Sequence, residues 1–382
     1  MRLAALLLGS ALGAGVVTAY ALDEAPRGDA PSRADDSERQ QGRDEPVRLD
    51  ELRPRPSYPR EVLEKSLARG LAWLATRESR LEDGSWPTDD TQGDFSAPVA
   101  VTSLASLALM AGGDLPGRGP HGERVQRGLE YLLSRAVREE DDPRFGYISD
   151  GIGRMHGHGF ATLALAQGYA MSANGRLGGR VRASLEAAVH LIERTQGAEG
   201  GWMYEPRLQT EHEGSVTICL VSALRAARDA GVLVDADVVL RAEDYVLRSQ
   251  DDDGMFRYTL GSDKKTLALT AAALATLEAA GHYDDPAMDR GLDAIVRLLA
   301  KDDWPGKGDF PHYERLYLAL ALWGLRDHTT FDAWFADELQ RLVASQNEDG
   351  SWGESRYGAC YATAVNCLVL ALPDGQLPIF QR

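Results

Sequence analysis

A seven-residue punctuation mark recurs along this chain: glutamine, three residues, glycine, one residue, then an aromatic ring. Gln196, Gly200 and Trp202 carry it, as do Gln250, Gly254 and Phe256, and Gln346, Gly350 and Trp352. Arg80, Gly84 and Trp86 carry it with arginine in the first place. A degenerate copy ends at Phe145, and another lies between Trp304 and Phe310; with Phe310 as the fifth anchor, the steps from Trp86 are 59, 57, 54, 54 and 42 residues. Recurrence at a near-constant spacing means one supersecondary unit used repeatedly, each copy covering the apolar face of the next.

Every unit has two unlike halves. A charged amphipathic segment precedes the anchor: 65–78, 124–135, 182–194, 240–250, 289–301 and 335–346. Apolar residues recur there at helical spacing, as in Leu67, Leu71 and Leu74. A polar turn follows, then a segment without charge: 96–113, 160–171, 215–224, 266–277, 316–325 and 359–372. A helix that is apolar all round is buried all round. Six half-wet helices alternating with six buried ones predict two concentric layers of antiparallel neighbours. An open solenoid needs polar caps at its ends, and the first and last charge-free segments are as apolar as the middle ones. The expectation is an all-α toroid, an (α/α)6 ring with six inner helices within six outer ones, spanning residues 58–382.

The first 57 residues read differently. Met1-Arg2 leads into an uncharged run from Leu3 to Leu22, and Ala19-Tyr20-Ala21 offers the small-x-small pattern of a signal-peptidase site. Residues 1–21 are expected to be a signal peptide or an N-terminal membrane anchor; either places the body outside the cytoplasm, periplasmic or otherwise extracytoplasmic. Residues 22–57 hold five prolines and charges of both signs with few apolar groups, the composition of a disordered spacer. The formal charge of −17 excludes a general nucleic-acid binder, which needs a basic face. Three cysteines are too few for a disulfide framework.

The glutamine–tryptophan repeat before an apolar inner helix resembles the squalene-hopene cyclase and protein prenyltransferase β-subunit superfamily, over residues 60–372. Met155-His156-Gly157-His158-Gly159-Phe160 and Gly200-Gly201-Trp202-Met203-Tyr204-Glu205-Pro206 are similar to segments of exported bacterial squalene-cyclase-like repeat proteins. The resemblance implies that the repeat motif is structural, its glutamine capping a helix end beside the ring of its own repeat. It also implies an apolar ligand, of polyprenyl or hopanoid type, in a central cavity.

The family's chemical motifs are missing. No Asp-x-Asp-Asp is present to supply a protonated acid. Asp251-Asp252-Asp253 falls inside a repeat turn, where acids are expected to be solvated. Asp-Asp-x-x-Asp, the diphosphate–magnesium motif, is absent too, and Asp89-Asp90-Thr91-Gln92-Gly93-Asp94 is one residue too long for it. The last inner segment, Tyr357-Gly358-Ala359-Cys360-Tyr361, resembles a prenyltransferase zinc-binding stretch but has Gly358 where the ligand histidine would stand. No metal or cofactor is assigned. Cys360 and Cys367 are two helical turns apart, ~10.5 Å, too far to bridge.

One constellation remains. His156, His158, His212 and His312 all lie at starts of inner helices, with Glu213 and Glu314 beside them. In an antiparallel ring those starts gather at one end, so these residues are expected to circle one mouth of the cavity. They suit an acid–base pair or a metal; equally, they suit plain helix capping. Tyr313, Tyr317, Tyr357, Cys360 and Tyr361 are expected to line the cavity or to fill the core. Three readings stay open: an enzyme or carrier for an isoprenoid-type lipid, a non-catalytic scaffold whose mouth binds a protein or glycan, and carbohydrate processing by paired carboxylates.

Overall fold

The computed structural model describes residues 58–78, 82–172, 177–300, 310–325, 328–353 and 355–380. The expected signal segment, the spacer, Arg80 and Trp304 lie outside these residues. The described residues form twelve α-helices: α1 (Arg60–Glu78), α2 (Pro98–Ala111), α3 (Gly122–Ser134), α4 (Arg154–Ser172), α5 (Gly178–Thr195), α6 (Gly214–Asp229), α7 (Ala236–Arg248), α8 (Leu267–Ala279), α9 (Pro286–Leu299), α10 (Pro311–Gly324), α11 (Thr329–Ser345) and α12 (Ala359–Ala371). No helix among the described residues is long and apolar enough to cross a membrane.

The even-numbered helices form a closed inner ring. Each packs against the next, from α2 through α4, α6, α8 and α10 to α12, and α12 packs back against α2. The odd-numbered helices stand outside, each against the inner helix that precedes it, and α1 completes the circle by packing on α12. The chain is an (α/α)6 toroid. Local signals fit it. Prolines open α2, α9 and α10, where a missing N–H costs nothing. Asp235, Asp285 and Thr266 cap α7, α9 and α8 through their side chains.

The repeat motif holds the layers and the repeats together. Trp86, Trp202, Phe256 and Trp352 are buried. The three indole N–H groups donate to the outer helix just left, at Leu74, Ile192 and Leu342 carbonyls. The anchors' backbone N–H groups donate inward to Thr102, Thr217, Thr270 and Thr363, one on each following inner helix. The glutamine reaches further than the resemblance implied. Gln196 Nε2 donates to its own turn at Gly200 and to Val238 of the next outer helix, 2.8 Å away. Gln250 does the same to Ala287, and Gln346 to Ser66 of α1, 3.0 Å away. The last staple therefore joins the sixth repeat to the first. Gly200, at φ +93, sits where an added Cβ would lie 2.1 Å from the Arg241 carbonyl oxygen of α7.

Three expectations need correction. Phe310, expected as the fifth anchor, is exposed and stands at the cavity instead of between the layers. The second repeat is anchored by Ile148, not Phe145. Gly146 adopts φ +86 against the Ala187 carbonyl, Ile148 two residues later is fully buried, and Phe145 is half-buried in the turn. Packing asks for a bulky apolar group two places after the glycine, and Ile148 supplies it. Asp251 and Asp253 are not simply solvated. Lys265 bridges both at 2.6 and 2.7 Å, and Arg257 pairs with Asp251 at 2.7 Å.

Candidate functional site

The N-terminal ends of the inner helices enclose a cavity of about 550 Å³. Its wall comes from all six repeats: Phe95 and Ala97 before α2, His156 and Phe160 of α4, Ser215 of α6, Ala268 of α8, Tyr313 and Glu314 of α10, and Tyr361 of α12. Aliphatic and aromatic groups dominate it. Toward the other end of the ring lies a second chamber of about 190 Å³, walled by Tyr317, Trp323, Arg225 and Leu368 among others. Leu104 and Phe160 belong to both walls, so the two chambers adjoin there.

The ring of mouth residues expected from the sequence divides. His156 and Glu314 are on the cavity wall. His158 is two places from His156, about 200° around the helix, and turns outward. It is fully buried; its Nδ1 accepts the Ile148 backbone N–H at 3.1 Å, and its Nε2 faces the Ala188 carbonyl of α5 at 3.4 Å. His158 thus does the work threonine does in four other repeats. His212 also leaves the mouth. Its Nε2 lies 3.1 Å from the Gln209 carbonyl, and its ring meets Tyr245 of α7 edge-on. His312 is buried and packs edge-on against Tyr361, behind the wall. Burial pushes His156 and His158 down to about 4 and His312 to about 3, so all three are neutral at neutral pH. Of the tyrosines expected to line the cavity, Tyr313, Tyr357 and Tyr361 do so, and Tyr317 lines the second chamber. Cys360 is buried, and none of the three cysteines is in a disulfide. Among the described residues no group of three or more histidine, cysteine or acidic residues is placed to hold a metal ion.

Several wall residues were not foreseen, and most belong to one polar patch. Glu213 is fully buried at the start of α6, where its carboxylate accepts the backbone N–H groups of Ser215 and Val216. It also accepts the Ser215 hydroxyl at 2.7 Å. The Ser215 hydroxyl lies 3.0 Å from His156 Nε2 of the neighbouring repeat. The Tyr258 hydroxyl is hydrogen-bonded to the Tyr204 hydroxyl, close to Glu213. Burial raises the Glu213 carboxyl above its ordinary range, opposed by these hydrogen bonds. Lys264 stacks on Tyr258 at 4.9 Å, and Arg154 on Tyr204 at 5.9 Å. Arg154 has φ +47, the one non-glycine residue in that region among those described, which costs of order 1–3 kcal/mol and is typical of functional sites. The opposite rim is aromatic: Arg356 stands 5.2 Å from both Phe95 and Phe310. A signal for this patch existed. Tyr204 and Tyr258 each stand two places after their anchor, so aligning the repeats puts them side by side.

No protein-family model matches the sequence, and no curated protein matches it. The fold has solved counterparts. The type II terpene cyclase MstE from Scytonema, in complex with its product merosterolic acid A, shares 19% identity at a TM-score of 0.55, covering 82% of this chain and 98% of that one. A cellobiose 2-epimerase from Bacillus thermoamylovorans reaches a TM-score of 0.60 at 10% identity, over 82% of this chain and 100% of the other. The GH76 α-mannanase BT2949 from Bacteroides thetaiotaomicron reaches 0.54 at 8% identity, covering 81% and 94%. The toroid is thus shared with terpenoid-processing and glycan-processing enzymes, and the fold does not choose between them.

Proposed function

We propose that this toroid binds a long apolar molecule of isoprenoid type in its central cavity, its tail along the axis and its polar end at the rim where the inner helices begin. The observation that carries this is the composition of the wall. Ala97, Ala100, Val101, Leu104, Phe160, Ala268 and Leu269 surround the axis, with Tyr313 and Tyr361 beside them. A cavity of about 550 Å³ so lined desolvates an apolar chain and lies in the size range of ligand pockets. Each buried methylene contributes about 0.8 kcal/mol. A sugar chain needs many polar partners along its length, and here the charged, imidazole and hydroxyl side chains, His156, Ser215, Lys264 and Glu314 among them, lie close to the starts of the inner helices. The same likeness is expressed in the terpene cyclase MstE, one structure of which holds geranylgeranyl dihydroxybenzoate, an apolar tail with a polar ring. The uncharged N-terminal run supports export of the chain.

The test is native mass spectrometry of the purified chain followed by organic extraction. An apolar lipid released in stoichiometric amount supports the reading. A chain that carries no lipid, takes up none from vesicles, and instead binds oligosaccharides overturns it in favour of the glycan alternative.

A further inference from the structure

The Ser215 hydroxyl is better connected than helix capping requires. The Glu213 carboxylate alone satisfies the first free N–H groups of α6, those of Ser215 and Val216, at 3.0 and 2.8 Å. The serine side chain adds nothing to that cap. It instead stands on the cavity wall, donates to Glu213 Oε2 at 2.7 Å, and is met from the other side by His156 Nε2 at 3.0 Å. His156 comes from α4, 59 residues earlier in the chain, and is itself on the wall. A hydroxyl that donates to a carboxylate, itself fixed by two backbone N–H groups, and that faces the cavity has the nucleophile–base contact that activates a serine. Two further hydroxyls, those of Tyr204 and Tyr258, line the same patch.

We propose that Ser215 is a nucleophile for acyl transfer, acting on esters of long apolar acids or alcohols whose chain occupies the cavity. The acyl-chain preference rests on the apolar-cavity reading above; the nucleophile does not. Ser215 Oγ attacks the ester carbonyl carbon, and its proton passes to Glu213 Oε2. Tyr204 or Tyr258 donates to the carbonyl oxygen as negative charge collects there. The carbon–oxygen bond to the alcohol breaks, and the alcohol leaves with the proton from Glu213. A water molecule from solvent then attacks the acyl-serine, gives one proton to Glu213, and frees the acid; that proton returns to Ser215. His156 holds the serine oxygen in line by donating to it through Nε2. It is neutral at neutral pH, so it adds no charge to the resting site.

The experiment uses the full chain and a biotinylated fluorophosphonate, with p-nitrophenyl acetate and p-nitrophenyl palmitate as substrates. The expected result is a single phosphonylated tryptic peptide containing Ser215, abolished in Ser215→Ala with the melting temperature unchanged. Ester hydrolysis falls at least ~100-fold in Ser215→Ala, the usual worth of a positioned nucleophile and base. His156→Ala lowers kcat with KM unchanged, and His156→Asn, which restores a donor, recovers part of it. Because Glu213→Gln also touches the helix cap, it is read by circular dichroism before its rate is compared. No labelling of a folded wild-type chain, or labelling that persists in Ser215→Ala, overturns the proposal. Labelling of Ser215 with no preference for palmitate over acetate supports the nucleophile and counts against the apolar cavity. Co-purified lipid with no labelling does the reverse.

Discussion

Replacing Gly200 and Gly231 by alanine, one at a time, separates the strain of a backbone conformation from the strain of a contact between repeats. Both glycines have positive φ, +93 and +84. An L-residue there costs roughly 1–2 kcal/mol, partly offset by ~0.4–1 kcal/mol of lost freedom in the unfolded chain. Gly231 follows α6 with nothing within 4 Å of the added Cβ, so Gly231→Ala is expected to destabilise by about 1 kcal/mol or less. At Gly200 the Cβ lies 2.1 Å from the Arg241 oxygen and 2.8 Å from its carbon. Helix α7 cannot yield easily, because Gln196 holds it at Val238 and at Arg241. Forcing the two apart adds the ~1–3 kcal/mol typical of overpacking. Gly200→Ala should therefore cost about 2–4 kcal/mol in total, read by urea melts followed by circular dichroism. Equal losses at the two sites, within ~0.5 kcal/mol, would refute the idea that this glycine sets the distance between repeats.

Gly350→Ala extends the same logic to ring closure: its Cβ meets the Arg69 oxygen of α1 at 2.5 Å, so its loss should match Gly200→Ala in a closed ring and Gly231→Ala in an open one. Trp202→Ala removes a buried anchor and its indole bond to Ile192, and should cost about 3–5 kcal/mol in denaturant melts; a loss below ~1 kcal/mol would show that it does not join the layers. His158 has its folded pKa lowered to about 4 against about 6.5 unfolded. The unfolded chain therefore binds more protons between those values, and stability is full above pH 6.5 and falls as pH drops toward 4; His158→Gln should flatten that part of the pH–stability curve, and an unchanged slope would contradict the assignment. Asp251 is held at about 2, first of all by its hydrogen bond from Lys265. NMR titration of Lys265→Met should find it shifted up toward the ordinary carboxylate range, and no shift would mean that the pair is not formed in solution. Cell fractionation of a C-terminally tagged chain should place it beyond the inner membrane; a cytoplasmic pool retaining Met1 would defeat the export proposal.

Much of the architecture was legible because the toroid's two layers differ in chemistry. Charge-free segments such as 96–113 and 359–372 have no side that tolerates water, and α2 and α12 are the helices found there, packed on each other. The anchor rule succeeded at Trp86, Trp202, Phe256 and Trp352 and failed at Phe145 and Phe310, neither of which is buried; in the second repeat Ile148 takes the place, because shape and burial matter there and aromaticity does not. The mouth was only half legible. A helix start fixes which end of the ring a residue occupies but not its direction around the helix. That is why His156 faces the cavity while His158, two residues on, turns toward the outer layer and takes the place that a threonine holds on other inner helices. The link from His156 to Ser215 depends on the stagger between α4 and α6, which no local pattern encodes. The Tyr204–Tyr258 contact depends on the same stacking of one repeat on the next. Glu213 was expected at the rim, and its place as a buried cap follows from its position just before α6.

The central claim is that the axial cavity, rather than the outer surface, holds an apolar chain. Ala100 and Ala268 stand on opposite-numbered repeats of the wall and are half-buried, so a larger side chain at either projects into space and not into packed core. Equilibrium binding of geranylgeraniol should be measured by quenching of intrinsic tryptophan fluorescence, for the wild-type chain and for Ala100→Phe and Ala268→Phe. The account predicts saturable binding to wild type and at least ~10-fold weaker binding to each variant, equivalent to about 1.4 kcal/mol, with melting temperatures preserved. Binding that is absent in wild type, or unchanged in both variants, would contradict it.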